Sequence, residues 1–322
     1  MKLLVTGASG FIGRNLLLRV PADWSVLALY HRDVAFPDFV GRLHRSNVRA
    51  APCDLADPAQ VRMLFEEYGR DWDACLYLAG KVDIPWSVRE PKQDLLANAG
   101  PLLNVLDQIR AARFVYFSSG AVYDGAAGEV NRDAHLAPTL PYAISKLACE
   151  RYVECYSRRK QSIGGHLIVR FFGAYGPYEA SHKIYTRLIR AFAVEHRDTY
   201  TIYGDGQNLI DAMYVDDAVE AVKRMLSGSC WNETVNLAAG RPLSIETLVR
   251  EVGEALGVGP VKIEKQGVAN EHNDFWGSTR EMREFFDFEC HTALADGITR
   301  FRDFMISHEG ELSQRALSGG QR

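Results

Sequence analysis

Positive charge is not in excess in this chain: 37 Lys and Arg stand against 41 Asp and Glu, for a net charge of −4. No stretch reads as a basic tail, so nothing pulls the protein as a whole towards nucleic acid or an acidic membrane surface, and any anion has to be bound locally. The six cysteines, Cys53, Cys75, Cys149, Cys155, Cys230 and Cys290, form no CxxC pair and no metal-type cluster with histidine. No metal site is expected, and the thiols are expected to be reduced in a cytoplasmic protein. Long apolar runs are missing too, which excludes a bilayer-spanning helix. A strand and a glycine turn begin at residue 2, so no signal peptide is expected. Internal repeats and low-complexity segments are absent, and the tail Ser318-Gly319-Gly320-Gln321-Arg322 is expected to fray.

What the chain does have is a regular alternation. With 322 residues, 47% of them hydrophobic, it is long enough for one large domain or for a domain with a smaller lobe. Short apolar runs at Leu3–Thr6, Val26–Leu29, Val48–Ala51, Ala74–Leu78 and Phe114–Phe117 alternate with longer amphipathic segments. This order predicts an α/β fold, a Rossmann-type doubly wound parallel sheet. Apolar spacing predicts a helix from about Tyr142 to Tyr156, followed by a strand at Gly165–Phe171. Beyond it the pattern loosens over 173–213 and 241–322, whereas 214–240 return to a helix, Val215–Leu226, and a strand, Thr234–Leu237. We therefore expect a dinucleotide-binding domain over 1–172, with 214–240 returning to it, and a smaller C-terminal substrate-binding lobe from 173–213 and 241–322.

Residues 6–13 read Thr-Gly-Ala-Ser-Gly-Phe-Ile-Gly, directly after the apolar run Leu3-Leu4-Val5. A strand running through glycines into a helix is the build of a dinucleotide site. Gly7 allows the tight turn, Gly10 lets the backbone approach a pyrophosphate, and Gly13 lets the helix lie close to the strand. Tight strand–helix packing alone would also explain them. Tyr142 and Lys146 stand at YxxxK spacing, which puts both side chains on one helical face. An ammonium beside a phenol favours the phenolate and makes a tyrosine usable as a proton donor and acceptor near neutral pH. Ser118 and Ser119 end the strand before that helix, where doubly wound sheets place their ligands. A hydroxyl there can hydrogen-bond the oxygen on which Tyr142 acts; strand-end polarity is the plainer explanation.

With these residues in place, the sequence resembles the extended short-chain dehydrogenase/reductase family, in particular its sugar-nucleotide epimerase, dehydratase and reductase branch. The matching elements in family order are the glycine turn, Asp54-Leu55, Leu78-Ala79-Gly80, Ser118-Ser119 with Val122-Tyr123, and Tyr142 to Lys146. Arg170-Phe171-Phe172 with Tyr175-Gly176-Pro177, Tyr203-Gly204-Asp205-Gly206 and Val215-Asp216-Asp217 follow. The resemblance implies that Gly7, Gly10, Phe11, Ile12 and Gly13 bind the dinucleotide, that Asp54 and Leu55 line its adenine pocket, and that Leu78, Ala79 and Gly80 flank it. It implies Ser119 as the catalytic hydroxyl, Tyr142 as the acid/base and Lys146 as its partner on the nicotinamide ribose. On the substrate side it puts Ser87 in a loop and Asn98 on a helix near the active site. Taken as bare residues, Asp54 could cap a turn before Asp57-Pro58, and Asn98 could be a satisfied helical amide. The family also implies a homodimer packed through the helix near 93–110 and the helix at Tyr142, with Ala148, Cys149, Tyr152 and Val153 as apolar surface. Burial inside one chain would explain those residues as well.

The departures from the family pattern narrow the chemistry. Where an acid would bind the ribose of NAD, the chain reads Leu29-Tyr30-His31-Arg32-Asp33. Arg32, with His31, would pair with a 2′-phosphate, favouring NADP(H); NAD(H) stays open if Asp33 reaches back to the ribose. The acid pair that dehydratases carry after the catalytic hydroxyl is Gly120-Ala121 here, which leaves oxidoreduction at a carbinol or ketone. Gly173 replaces a family Asn, and Ile210 an Arg before Asp211, both of which tend to contact the sugar-nucleotide diphosphate. One or more of His182, Lys183, Arg187 and Arg190 replaces the missing cation, or they form the polar face of a surface helix. The expectation is an NAD(P)-dependent 4-ketoreductase or 4-epimerase of a nucleotide sugar, with a small-molecule substrate, no nucleic acid and no membrane. The alternatives are a reductase of a small carbonyl without a nucleotide, and a dinucleotide-binding protein without catalysis.

Overall fold

Leu3, Leu4 and Val5 are wholly buried in β1 (Lys2–Thr6). Their alternation sends Leu3 and Val5 into one core and Leu4 into another, on opposite faces of the same strand. A strand covered on both faces is what a parallel sheet needs, and each such side chain contributes about 1.5–3 kcal/mol by leaving water. The computed structural model describes residues 1–267 and 273–308; the tail expected to fray, and the end of the expected lobe, lie outside the described residues.

Around β1 are β2 (Ser25–Tyr30), β3 (Val48–Pro52), β4 (Asp71–Tyr77), β5 (Arg110–Ser119), β6 (Ile163–Phe171) and β7 (Glu233–Leu237). They form a seven-stranded sheet in the order β7-β6-β5-β4-β1-β2-β3, and every pairing is parallel. The chain winds outwards from β1 to β3 and then returns to β4 on the other side. The switch point therefore lies between β1 and β4, where a doubly wound sheet opens its ligand crevice.

One face of the sheet is covered by α1 (Phe11–Leu17), α2 (Phe36–Arg42), α8 (Val215–Ser227) and α10 (Arg280–Phe286), which place Leu16, Phe39, Val222 and Met282 in the core of Leu3 and Val5. The other is covered by α3 (Pro58–Tyr68), α5 (Pro91–Leu106) and α6 (Pro141–Cys155), through Phe65, Leu102, Cys149 and Val153. Between β4 and α5 lies the short α4 (Ile84–Arg89). A third core joins α7 (Ile184–Ile189), α9 (Ile245–Ala255) and α11 (Leu294–Ser307) through Leu188, Phe192, Val252 and Phe301. No helix among the described residues is long and apolar enough to cross a membrane.

Candidate active site

The glycine turn sits at the switch point. Gly7 has φ +64°, and a Cβ there would lie 2.8 Å from the Ala79 nitrogen, so only glycine lets the turn after β1 pass the end of β4. A Cβ on Gly13 would come within 2.5 Å of the Ala8 carbonyl, which fixes α1 close to the strand. Thr6 ties the two strands further, its Oγ1 accepting from the Ala79 N–H at 3.2 Å, while Leu78 and Ala79 are half-buried and Gly80 is exposed. Gly10 is exposed and is the N-cap of α1 without a side-chain cap, and Phe11 and Ile12 begin the helix half-buried. Open helix amides with no side chain over them fit a dinucleotide pyrophosphate. No cluster of three His, Cys, Asp or Glu among the described residues could hold a metal ion.

Tyr142, at the start of α6, is 5% exposed, and Ser119 at the end of β5 lies near enough to favour its ionised form. The Ser119 Oγ also accepts from the Ala121 N–H at 3.1 Å, which fixes the hydroxyl. Lys146, one turn after Tyr142, donates from Nζ to the Phe117 carbonyl at 2.7 Å and lies 4.7 Å from the centre of the Tyr116 ring. Here the electrostatics differ from the simple Tyr–Lys expectation. Burial pushes the phenol of Tyr142 up to about 12, partly offset by Ser119, and burial pulls Lys146 down to about 8. The ammonium is aimed at a backbone carbonyl, so desolvation outweighs any pull on the phenol and the pair rests as a neutral phenol beside a cation.

The wall around this pair is braced by residues that were expected on the substrate side. Ser87 lies in α4 and not in a loop; it is wholly buried, donates to the Ile84 carbonyl at 2.7 Å and accepts from the Tyr142 N–H at 3.3 Å. It holds the start of α6 in place. Asn98 is 4% exposed, and its side chain clamps both backbone polar groups of Lys81. A Cβ on Gly80 would lie 3.0 Å from Asn98 Oδ1 and 3.8 Å from Lys146 Nζ, so this amide borders the site through the loop it holds.

Behind α6 lies a polar network that the YxxxK motif did not announce. Glu150, one turn beyond Lys146, pairs with Arg170 on β6 at 2.9 Å, both buried, and accepts from Ser118 Oγ at 2.5 Å. Arg170 also donates to the Tyr123 hydroxyl at 2.8 Å, which in turn donates to Asn236 on β7 at 2.7 Å. The network ties α6 to three strands and sets its height over the sheet. No local pattern in the sequence announces it, because Glu150 and Arg170 meet only when α6 is laid against β6.

At the far end of the crevice, Asp33 is held by Arg14 of α1 at 2.6 Å, under Phe36, Phe39 and Tyr178. His31 Nε2 lies 3.4 Å from Asp54 Oδ2. Asp54 also accepts from the Ala56 N–H at 3.0 Å, so it caps its turn while facing His31. Leu55 is buried. Arg32 is exposed. On the other wall, Gly173 accepts from the Met213 N–H at 3.1 Å, and Asp211 is bound by backbone N–H groups, including that of Gly277 at 3.1 Å. Lys183 is exposed and is the N-cap residue of α7. Surface concavities of about 650 Å³ beside Trp276 and about 570 Å³ beside His135 are lined by neither Ser119, Tyr142 nor Lys146; we place the candidate site by its side-chain chemistry.

Residues 3–238 match the NAD dependent epimerase/dehydratase family. Over 326 residues the chain is 27% identical to YtcB of Bacillus subtilis (strain 168), described as an uncharacterized UDP-glucose epimerase, covering 97% of this chain and 100% of that protein. It is 28% identical to the UDP-glucose 4-epimerase of Mycolicibacterium smegmatis, covering 94% of this chain and 98% of the other. The crystal structure of a UDP-glucose 4-epimerase with UDP-glucose from Thermotoga maritima superimposes with a TM-score of 0.84 at 20% identity, over 96% of this chain and 100% of that one.

Proposed function

We propose that this chain, which belongs to the NAD dependent epimerase/dehydratase family, oxidises and reduces a secondary alcohol or ketone of a nucleotide-activated sugar, as a 4-epimerase. The observation that carries the proposal is the buried Tyr142 phenol, with Ser119 at the C-terminal end of β5 acting on its ionisation and the Lys146 ammonium one turn away. Epimerases among the full-length relatives support it. Water removal from the sugar is disfavoured. A Cβ on Gly120 would lie 3.0 Å from the Phe172 ring, so an acid of the kind a dehydratase places there would require that ring to shift.

The bound nicotinamide supplies the hydride acceptor and donor. Gly7, Gly10, Phe11, Ile12 and Gly13 would hold its pyrophosphate, Leu78, Ala79 and Gly80 would flank it, and Asp54 with Leu55 would border the adenine. Tyr142 takes the proton from the sugar hydroxyl as it becomes a carbonyl and returns it in the reverse step; Ser119 fixes that oxygen by a hydrogen bond. Lys146, held against the Phe117 carbonyl, supplies positive charge to the Tyr142 phenolate that takes the proton and is regenerated when the proton is returned; between the two transfers Tyr142 holds that proton as the phenol. Lys183 is proposed as the cation that meets the diphosphate in place of the family's Arg at position 210.

A second reading, an NADPH-dependent 4-ketoreductase, is favoured by one observation. Asp33 is engaged by Arg14, which draws the one carboxylate in the loop after β2 away from a ribose hydroxyl, and Arg32 is exposed beside it. We therefore propose NADP(H) as the preferred cofactor. Thermal-shift titration with NAD, NADP, UDP, dTDP, GDP and CDP tests both parts. The expected result is stabilisation by NADP over NAD, an advantage lost in Arg32→Ala, and stabilisation by at least one nucleoside diphosphate. No shift with any of the four diphosphates would overturn the nucleotide-sugar reading. Purified protein that turns over without added dinucleotide points to the epimerase, and a need for added NADPH to the reductase.

A further inference from the structure

Asp94 lies on α5, one turn before Asn98, and is wholly buried. Its Oδ1 accepts from Asn98 Nδ2 at 3.2 Å, whereas Oδ2 has no hydrogen-bond partner in the described structure. A half-satisfied carboxylate in a dry interior is costly, and such groups persist where their charge is used. Asn98 leads from it to the candidate active site, because Asn98 Oδ1 and Lys146 Nζ flank the same point beside Gly80.

The groups around Lys146 can be taken element by element. Its own helix contributes Tyr142, Cys149 and Glu150; β5 contributes the Tyr116 ring and the Phe117 carbonyl; α4 contributes the neutral Ser87; α5 contributes Asn98 and Asp94. Cys149, Glu150 and Asp94 all favour the charged form of Lys146, against its burial. Burial keeps the Cys149 thiol protonated, and Glu150 is already neutralised by Arg170. Asp94 remains as the acid linked towards Lys146 through Asn98, with no cation bonded to it among the described residues.

We propose that Asp94 is a positioning residue for the oxidoreduction proposed above: its buried carboxylate is the fixed negative charge that keeps Lys146 an ammonium in a buried site. The same charge opposes ionisation of Tyr142. It therefore holds the pair as cation and neutral phenol, the form that gives a proton to a ketone oxygen.

Asp94→Asn keeps the shape and the acceptor for Asn98 but removes the charge. Full-length protein carrying lysine isotope-labelled at Cε has nine signals, and Lys146→Arg identifies the one that matters. In Asp94→Asn the Lys146 titration midpoint falls by about one pH unit; an unchanged midpoint overturns the proposal. This readout needs no turnover, so an inactive wild type would count against the proposed reaction and leave the role of Asp94 testable. With an active substrate, the alkaline limb of kcat/KM moves to lower pH by the same amount, while rates near about pH 6.5 stay within about threefold. Asp94→Ser, which leaves space for a water, is the second variant. If both variants lose their fold by circular dichroism, the carboxylate is structural and the proposal is wrong.

Discussion

At the scale of single residues, desolvation governs the site. Lys146 is pulled down to about 8 from its ordinary 10.5 because it is buried, so its charge, needed beside a phenolate, is present below about pH 8 and lost above it. Stability moves the other way. Between about 8 and 10.5 the unfolded chain binds the proton that the folded chain has released, so the contribution of Lys146 to stability rises with pH. We predict an alkaline fall in kcat/KM centred near pH 8 with no matching fall in Tm attributable to Lys146. If activity and Tm fall together, unfolding is the cause and not titration of this side chain. The glycines and the YxxxK pair could be read from the chain, since each is a local pattern. The resting protonation state could not, because burial of Lys146 and its bond to Phe117 arise only once α6 is laid on β5.

At the scale of elements, α7 is anchored by a carboxylate. Glu179 Oε2 accepts from both the N–H and the Oγ1 of Thr186, at 3.0 and 2.7 Å. Burial pushes Glu179 up to about 7 from its ordinary 4.5, despite those two hydrogen bonds. The sign follows from proton binding. The folded chain holds this proton where the unfolded chain has lost it, so the associated stability is full below about 4.5 and is lost as pH rises through about 7. That loss is at most about 3.5 kcal/mol. Glu179→Gln is predicted to flatten the fall in Tm between about pH 5 and pH 8; a slope identical to that of the wild type would contradict this. Elements of the sheet were legible because parallel strands covered on both faces are nearly continuous apolar runs, and β1, β2 and β6 begin within one or two residues of the expected starts. The partners of Ser87 and Asp33 were not legible for one reason: each is engaged by a group distant in sequence, the Tyr142 N–H and Arg14.

At the scale of the whole molecule, α5 and α6 pack together and leave an apolar strip uncovered. Leu95 is 43%, Leu96 53%, Ile144 48% and Tyr152 43% exposed, and Ile144, Ala148 and Tyr152 follow one another at four-residue steps on α6. Cys149 and Val153, expected on that surface, are instead wholly buried in the sheet core, because they point inwards on the same helix. The strip fits the proposed homodimer. Light scattering is predicted to give about twice the chain mass of 36.0 kDa for the wild type and one chain mass for Ile144→Glu with Tyr152→Glu; a dimer in both would place the interface elsewhere. The central claim is that Tyr142 moves the proton in a hydride-transfer reaction on a nucleotide sugar. Its most direct test is to follow reduced nicotinamide by absorbance when UDP-, dTDP-, GDP- and CDP-sugars and their 4-keto forms are added to wild type and to Tyr142→Phe. The proposed mechanism predicts a signal with at least one sugar in the wild type and a rate lower by about 10²–10⁴-fold in the variant, with cofactor affinity within a few-fold. Equal rates in the two proteins would contradict it.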